Sequence, residues 1–163
     1  MSGSDDFDEF YRFTVNRLVR YAYGLTGDPV EAQDLTHEAY ARAWEHWRKV
    51  RGYDQPEAWL RVVVTRLAAD RWRRWQVRKK HMPILRPPDS SPAPGDDTMY
   101  VTALLRQLPL EQRRALVLHY LFDMSVEQIA AEMSANPNTV KSWLSRGRAA
   151  LSAHVTKQEV NHV

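Results

Sequence analysis

Apolar residues recur at three- and four-residue spacing along most of this 163-residue chain, and no stretch alternates apolar and polar residues as a half-buried strand does. Residues 7–25 therefore predict an amphipathic helix. Residues 27–29, Gly-Asp-Pro, break the pattern, and Pro29 suits the first turn of a second helix over residues 30–47. A third helix is predicted to start near residue 56 and to run into a basic stretch. Three tryptophans are predicted to pack in the core: Trp44 and Trp47 of the second helix and Trp59 of the third.

A proline-rich segment, residues 82–97, interrupts the helical pattern. Its five prolines and one glycine preclude a helix or a central strand, so an extended, flexible linker is predicted. The linker separates a module over residues 1–81 from a second module over residues 98–155, with a short tail over residues 156–163. The predicted fold class is all-α, with two small helical domains joined by a Pro-rich flexible linker.

In the second module, the sequence signals for the beginning and end of each helix are clearer than in the first. Helices are predicted over residues 98–107 and 109–122, and Ser125 with Gln128 fits a capping box that begins a short helix ending near Met133. Residues 134–138 predict a turn, and a last helix follows from about residue 138 to residue 155.

Residues 125–151 have the proportions of a helix-turn-helix: a short helix, a tight turn and a longer helix. The predicted inward stripe of the last helix is Val140, Leu144, Gly147 and Leu151. Polar and basic residues lie mostly outside that stripe, a pattern that suits a DNA major groove because Arg can donate two hydrogen bonds to guanine. A helical hairpin with a polar outer face would show the same pattern.

Charge is distributed unevenly, although the net charge is only +3. Residues 60–81 contain eight basic residues against one acidic residue, a local charge of +7. Such a stripe indicates a polyanionic partner at one site, or alternatively a solvated helix face. The N-terminus is acidic and has no signal-peptide core, and no apolar run approaches the roughly 18 residues of a membrane span. We therefore expect a cytoplasmic protein without membrane insertion.

Candidate chemistry is sparse. The chain has no cysteine, which excludes disulfides, thiolate metal sites and cysteine catalysis. The six histidines form no paired-ligand spacing, the acidic residues show no arrangement that demands general acid–base catalysis, and no nucleophile motif is present. We expect no cofactor, no metal, no small-molecule substrate and no enzymatic activity.

Two blocks of residues resemble the extracytoplasmic-function (ECF, group IV) sigma factors of the sigma-70 family. Residues 31–40, EAQDLTHEAY, resemble region 2.2, and Pro56, Trp59-Leu60 and Asp70-Arg71-Trp72-Arg73-Arg74 resemble regions 2.3 and 2.4. Residues 108–120 look like region 4.1, and residues 125–151 like region 4.2. The 18 arginines against 5 lysines are typical of GC-rich genomes such as those of actinobacteria.

This resemblance implies a mechanism and partners. The first module would be sigma-2, which docks on the β′ clamp helices of core RNA polymerase and captures the melted −10 strand. The second would be sigma-4, which holds the β flap and reads the −35 duplex of promoter DNA. An anti-sigma factor is a further expected partner.

The resemblance also assigns site residues. The polymerase-binding positions would be Asp34, His37 and Glu38. The −10 candidates are Arg48, Lys49, Arg51, Tyr53, Arg66, Arg73 and Arg74. The −35 candidates are Asn138, Thr139, Lys141, Ser142, Ser145, Arg146 and Arg148, of which Arg148 is placed for a phosphate.

Four positions depart from the family pattern. His37 stands where Gln is usual, and Arg66 stands where Asn is frequent. Asn138 replaces a usual Gly, and Trp143 replaces a common Arg, so no −35 consensus can be transferred. Two other functions stay open at this point: a stand-alone helix-turn-helix transcriptional regulator, which would normally dimerise on a palindrome, and a helical protein-interaction adaptor.

Overall fold

The computed structural model describes residues 3–81 and 97–161, and its chain divides into two compact units, Met1–Ser91 and Pro92–Val163. The boundary falls inside the proline-rich segment, of which residues 82–96 lie outside the described residues. All regular structure in the described ranges is helical, which confirms the predicted fold class. The helices are α1 (Gly3–Thr26), α2 (Pro29–Glu45), α3 (Trp47–Val50), α4 (Pro56–His81), α5 (Asp97–Leu105), α6 (Leu110–Tyr120), α7 (Val126–Met133) and α8 (Pro137–Asn161).

In the N-terminal unit, α1, α2 and α4 pack around one apolar core. Its fully buried side chains include Leu18, Leu35 and Leu60. Two buried hydroxyl pairs tie α1 to its neighbours: Thr14 Oγ1 lies 2.5 Å from the Tyr40 hydroxyl, and Tyr21 hydroxyl lies 2.6 Å from Thr65 Oγ1. Each of these polar groups is therefore satisfied inside the core, as burial requires.

The predicted break at residues 27–29 is confirmed, and its geometry explains why the sequence breaks there. Gly27 adopts a φ of 68°, a left-handed conformation that a glycine takes without steric cost. The Asp28 carboxylate then accepts hydrogen bonds from the amides of Val30 (2.9 Å) and Glu31 (3.3 Å), capping α2, with Pro29 in its first turn.

The second helix differs from the prediction at its C-terminal end. It stops at Glu45, and Trp47 begins the separate one-turn helix α3. Trp47 is 8% exposed, with its ring 5.3 Å from Phe7 and 5.2 Å from Phe10. The prediction that Trp44 lies in the core is wrong, because its side chain is 52% exposed. The Phe7 ring lies 5.1 Å from the Trp44 ring, and the last buried residue of α2 is Ala43.

In the C-terminal unit, α5 to α8 form a second core around Leu116, Leu118 and Ile129. The predicted capping box is confirmed: Ser125 Oγ accepts from the Gln128 amide at 3.1 Å, and the Ser125 amide donates to Gln128 Oε1 at 2.9 Å. The last helix continues past the predicted end at residue 155, to Asn161.

Arg113 on α6 holds the end of α5 in place. Its guanidinium donates to the carbonyls of Leu105 (2.9 Å), Leu108 (2.8 Å) and Arg106 (3.3 Å). A cation near a helix C-terminus also interacts favourably with the helix dipole. Burial, and to a lesser extent the nearby charge of Arg106, lowers the pKa of Arg113 to about 10.

Candidate functional site

The turn between α7 and α8 sets the angle of the longer helix. Ser134 adopts a left-handed conformation, with φ 51° and ψ 46°, and ends α7. The amide of Asn138 donates to Asn136 Oδ1 at 2.9 Å, within the first turn of α8. Asn138, which stands where Gly is usual in the family, is helical, and the left-handed residue of this turn is Ser134.

Helix α8 has one buried and one exposed face. Val140, Leu144 and Gly147 are buried as predicted, and Leu151 is half-buried. Six of the seven −35 candidates are exposed: Asn138, Thr139, Lys141, Ser145, Arg146 and Arg148. The seventh, Ser142, is half-buried, as is Trp143. The exposed face therefore combines hydrogen-bond donors with positive charge. A helix with such a face can bind in a DNA groove and donate hydrogen bonds to the base edges there.

The exposed face of α8 is joined to the end of α6. Arg148 Nη1 donates a hydrogen bond to the Tyr120 hydroxyl at 3.0 Å, although the two residues are 28 positions apart. Tyr120 is 57% exposed. Tyr120 is the last of residues 108–120, which resemble region 4.1, but the resemblance assigns it no role. The apolar periodicity of α6 carries no signal that would have paired it with Arg148.

The three polymerase-binding candidates lie on the outer side of α2. Asp34 and His37 are exposed, and Glu38 is half-buried. Glu38 has two cationic neighbours: Arg42 on the same helix at 3.3 Å and Arg71 of α4 at 3.7 Å. The Arg71 contact, which spans two helices, was not anticipated from the sequence.

The −10 candidates fall into two groups. Arg48 and Lys49 of α3 are exposed, Tyr53 is 44% exposed, and Arg51 pairs with Asp6 of α1 at 2.7 Å. On α4, all three candidate arginines are exposed: Arg66, Arg73 and Arg74.

The basic stripe of α4 is less uniform than the sequence indicates. Arg73 pairs with Asp70, and Arg71 pairs with Glu38. Arg61, counted in the predicted stripe, is 7% exposed and lies with the core positions of α4. Because its guanidinium is buried, Arg61 is not part of the exposed basic surface.

Comparison with known proteins identifies the family. The family model described as "Sigma-70 region 2" matches residues 10–78, and the model described as "Sigma-70, region 4" matches residues 98–151. The chain is 30% identical over 159 residues to the RNA polymerase sigma-E factor of Streptomyces antibioticus, covering 96% of this chain and 88% of that protein. It is 32% identical over 154 residues to the ECF RNA polymerase sigma factor SigL of Mycobacterium tuberculosis, covering 88% of this chain and 84% of the relative.

The chain belongs to the ECF RNA polymerase sigma factors. It is an alternative sigma factor that directs transcription initiation. The two alternatives left open by the sequence, a stand-alone regulator and an interaction adaptor, are set aside because both sigma-70 regions match in order along one chain.

Solved structures of sigma factors share the fold. The sigma factor RpoE of Bartonella quintana, solved in complex with the anti-sigma factor NepR, superposes with a TM-score of 0.77 at 22% identity, covering 93% of this chain and 97% of that one. CnrH, solved in complex with the cytosolic domain of CnrY, gives a TM-score of 0.67 at 20% identity, covering 94% and 90%.

Metal-ligand clusters and membrane-spanning helices are both absent from the described ranges of this sigma factor. No cluster of three or more His, Cys, Asp or Glu side chains there could hold a metal ion. No helix of that part of the chain has the length and apolarity needed to cross a membrane.

Proposed function

We propose that this sigma factor binds core RNA polymerase through α2, the −10 element through α3 and α4, and the −35 element through α8. The observation that carries the proposal is the division of α8 into a buried apolar stripe and an exposed face of polar and basic residues. Promoter recognition would thus be the chain's task in the cytoplasm, and the chemistry of RNA synthesis would belong to the polymerase.

The −35 duplex is assigned to the C-terminal unit. Lys141, Ser145 and Arg146 lie on the exposed side of α8, at spacings of four and one, where they can reach base edges along one groove. Arg146 is the strongest candidate for a base contact because a guanidinium can donate two hydrogen bonds to guanine O6 and N7. Asn138 and Thr139 lie at the N-terminal end of α8, where backbone amides favour a phosphate.

The −10 strand is assigned to the N-terminal unit. A melted strand needs cations for its phosphates and an aromatic surface for an unstacked base. Arg48, Lys49 and Tyr53 offer both within one exposed segment that follows α2. Arg66 and Arg74, both exposed on α4, would add phosphate contacts.

Docking to the polymerase is assigned to Asp34, His37 and Glu38. Positions 34, 37 and 38 share one side of a helix because they are three and four residues apart. An acidic surface of this kind attracts a basic surface of the partner and fixes how the two surfaces align. The complex of Bartonella quintana RpoE with the anti-sigma factor NepR suggests the same kind of partner here, covering one or both recognition surfaces.

The chain alone should bind promoters weakly. Each unit offers only a small set of contacts, and the polymerase would raise their effective concentration by fixing both units on one DNA. The test is equilibrium binding of labelled promoter DNA by the full-length chain with and without core polymerase. Specific binding that requires core polymerase supports the proposal; equally tight, specific binding without it would contradict it.

A further inference from the structure

The contact between Arg148 and Tyr120 joins two exposed side chains from different helices. Arg148 Nη1 donates to the Tyr120 hydroxyl at 3.0 Å, and both side chains face solvent. Between exposed groups such a bond contributes little to folding because water competes for both partners. Its position on the exposed side of α8 suggests a role in binding.

The hydrogen-bonding capacity of the pair decides what it can bind. A tyrosine hydroxyl has one O–H to donate, and a guanidinium has five N–H donors and no acceptor. Because Tyr120 accepts from Arg148, its own O–H is directed away from the guanidinium and stays a donor. The pair therefore presents donors on both residues, and the adjacent cation strengthens the tyrosine as a donor. An anionic oxygen is the matching acceptor.

The position of Tyr120 is fixed by its surroundings. The ring meets the His119 ring edge-on, with centroids 4.9 Å apart and planes at 83°. His119 Nδ1 is in turn 2.9 Å from the carbonyl oxygen of Met124, at the turn before α7. Gly147 lets α8 approach α6 closely, which brings Arg148 within reach of the last residue of α6.

The pair also continues the proposed −35 surface. Arg148 lies seven residues after Lys141 and three after Ser145, so all three share one side of α8. Tyr120 extends that side with a donor from another helix.

We propose that Tyr120 and Arg148 form a clamp for one phosphate of the DNA backbone at the edge of the −35 duplex. This inference rests on the proposed −35 role of the C-terminal unit, and it makes Tyr120 a DNA contact that also positions Arg148. Phosphate contacts carry no base information, so the clamp would strengthen binding to every promoter to the same extent.

Substitutions of the two residues should change the salt dependence of DNA affinity differently. Removing the charge in Arg148→Gln should weaken binding and reduce the slope of log K against log salt by about 0.9, the amount expected for one phosphate contact. Removing only the hydroxyl in Tyr120→Phe should weaken binding roughly 3- to 10-fold at every salt concentration, because a donor to an anion is lost without loss of charge.

The experiment uses the holoenzyme reconstituted from core polymerase and full-length chain, on a promoter fragment that it transcribes. Affinity is measured between about 50 and 200 mM salt for wild type, Tyr120→Phe, Arg148→Gln and the double variant. Tyr100→Phe and Lys157→Gln are matched controls, because both residues are exposed, Tyr100 on α5 and Lys157 nine residues after Arg148 on α8. The same fragment is then made with a neutral methylphosphonate at each phosphate flanking the −35 element in turn.

The clamp predicts a double variant no weaker than Arg148→Gln by more than about twofold, and unchanged controls. It also predicts one methylphosphonate position at which both single variants lose their effect. Wild-type affinity at Tyr120→Phe, or the absence of such a position, would overturn it. If Arg148→Gln folds poorly, Tyr120→Phe, which removes one hydroxyl from an exposed side chain, still tests the clamp in the methylphosphonate scan. Loss of −35 dependence in the wild-type holoenzyme would instead overturn the proposed function, and the clamp with it.

Discussion

Gly147 on α8 lies directly against the Leu116 side chain of α6. A Cβ at Gly147 would be 2.7 Å from Leu116 Cδ1 and 3.2 Å from Leu116 Cγ, closer than carbon atoms pack. Leu116 is 3% exposed and has little room to move. This contact sets the distance between the helix that carries the proposed −35 surface and the core that supports it.

Substitution of Gly147 should therefore destabilise the C-terminal unit. Alanine improves helix propensity by up to about 1 kcal/mol, but overpacking costs about 1–3 kcal/mol, so Gly147→Ala should lower the free energy of unfolding slightly and Gly147→Val more. Urea unfolding followed by circular dichroism measures the change. The control is Ala149→Val, which places the same side chain at an exposed position of α8. Because valine forms helix better than glycine, a Gly147→Val variant that loses no more stability than Ala149→Val would contradict a steric role for the Leu116 contact.

Tyr40 makes the stability of the N-terminal unit sensitive to alkaline pH. Burial raises its pKa from 10.0 to about 12, while the hydrogen bond with Thr14 opposes part of that rise. In the folded state the phenol therefore keeps its proton over a range in which the unfolded state loses it. Its contribution to stability is complete below pH 10 and is lost as the pH rises toward 12.

The measurement is the urea midpoint as a function of pH, on both sides of pH 10, for wild type and Tyr40→Phe. Tyr40→Phe should show a shallower fall between pH 10 and 12 than wild type. Tyr53→Phe is the control, since Tyr53 is 44% exposed and should leave the profile unchanged. Identical profiles for wild type and Tyr40→Phe would show that Tyr40 titrates alike in both states.

Charge reversal on α2 should impair polymerase docking. Asp34→Lys places a cation where a basic partner surface is expected, and like charges in an interface cost several kcal/mol, so affinity for core polymerase should fall by about 10-fold or more. Glu45→Lys makes the same charge change at the exposed end of α2, outside the predicted contact. The affinities of the two variants for core polymerase are compared by fluorescence titration of the labelled chain. Equal losses in the two variants would point to overall charge instead of a defined contact.

Removal of Arg146 should relax base preference. Loss of a bidentate contact to guanine costs about 1–3 kcal/mol of discrimination at one base pair. Holoenzyme with Arg146→Ala should therefore tolerate substitutions at one position of the −35 element that wild type rejects, measured by competition with single-base variants. Lys157→Ala, an exposed cation later in α8, should keep the wild-type preference. Unaltered discrimination with Arg146→Ala would remove this residue from the base contacts.

Local signals account for what the sequence could predict. The end of α1 and the starts of α2 and α7 follow from residues that act within one turn, namely Gly27, Asp28 and the Ser125–Gln128 box. The buried stripe of α8 follows from periodicity in the same way.

Contacts between helices could not be read from local patterns. Trp44 is exposed although Trp47, three residues later, is buried, and the burial of Arg61 depends on which side of α4 meets the core. The pairs Glu38–Arg71 and Tyr120–Arg148 join residues more than 25 positions apart. Spacing along one helix carries no information about such pairs, so the candidate site was predicted as separate surfaces without the contacts that link their helices.

Run-off transcription from a fragmented genomic library tests the central claim most directly. Core RNA polymerase is supplied with or without this chain, and the new transcript starts are mapped. The account predicts discrete starts that appear only with the chain and share −10 and −35 elements. Folded chain that neither binds core polymerase nor creates new starts would contradict it.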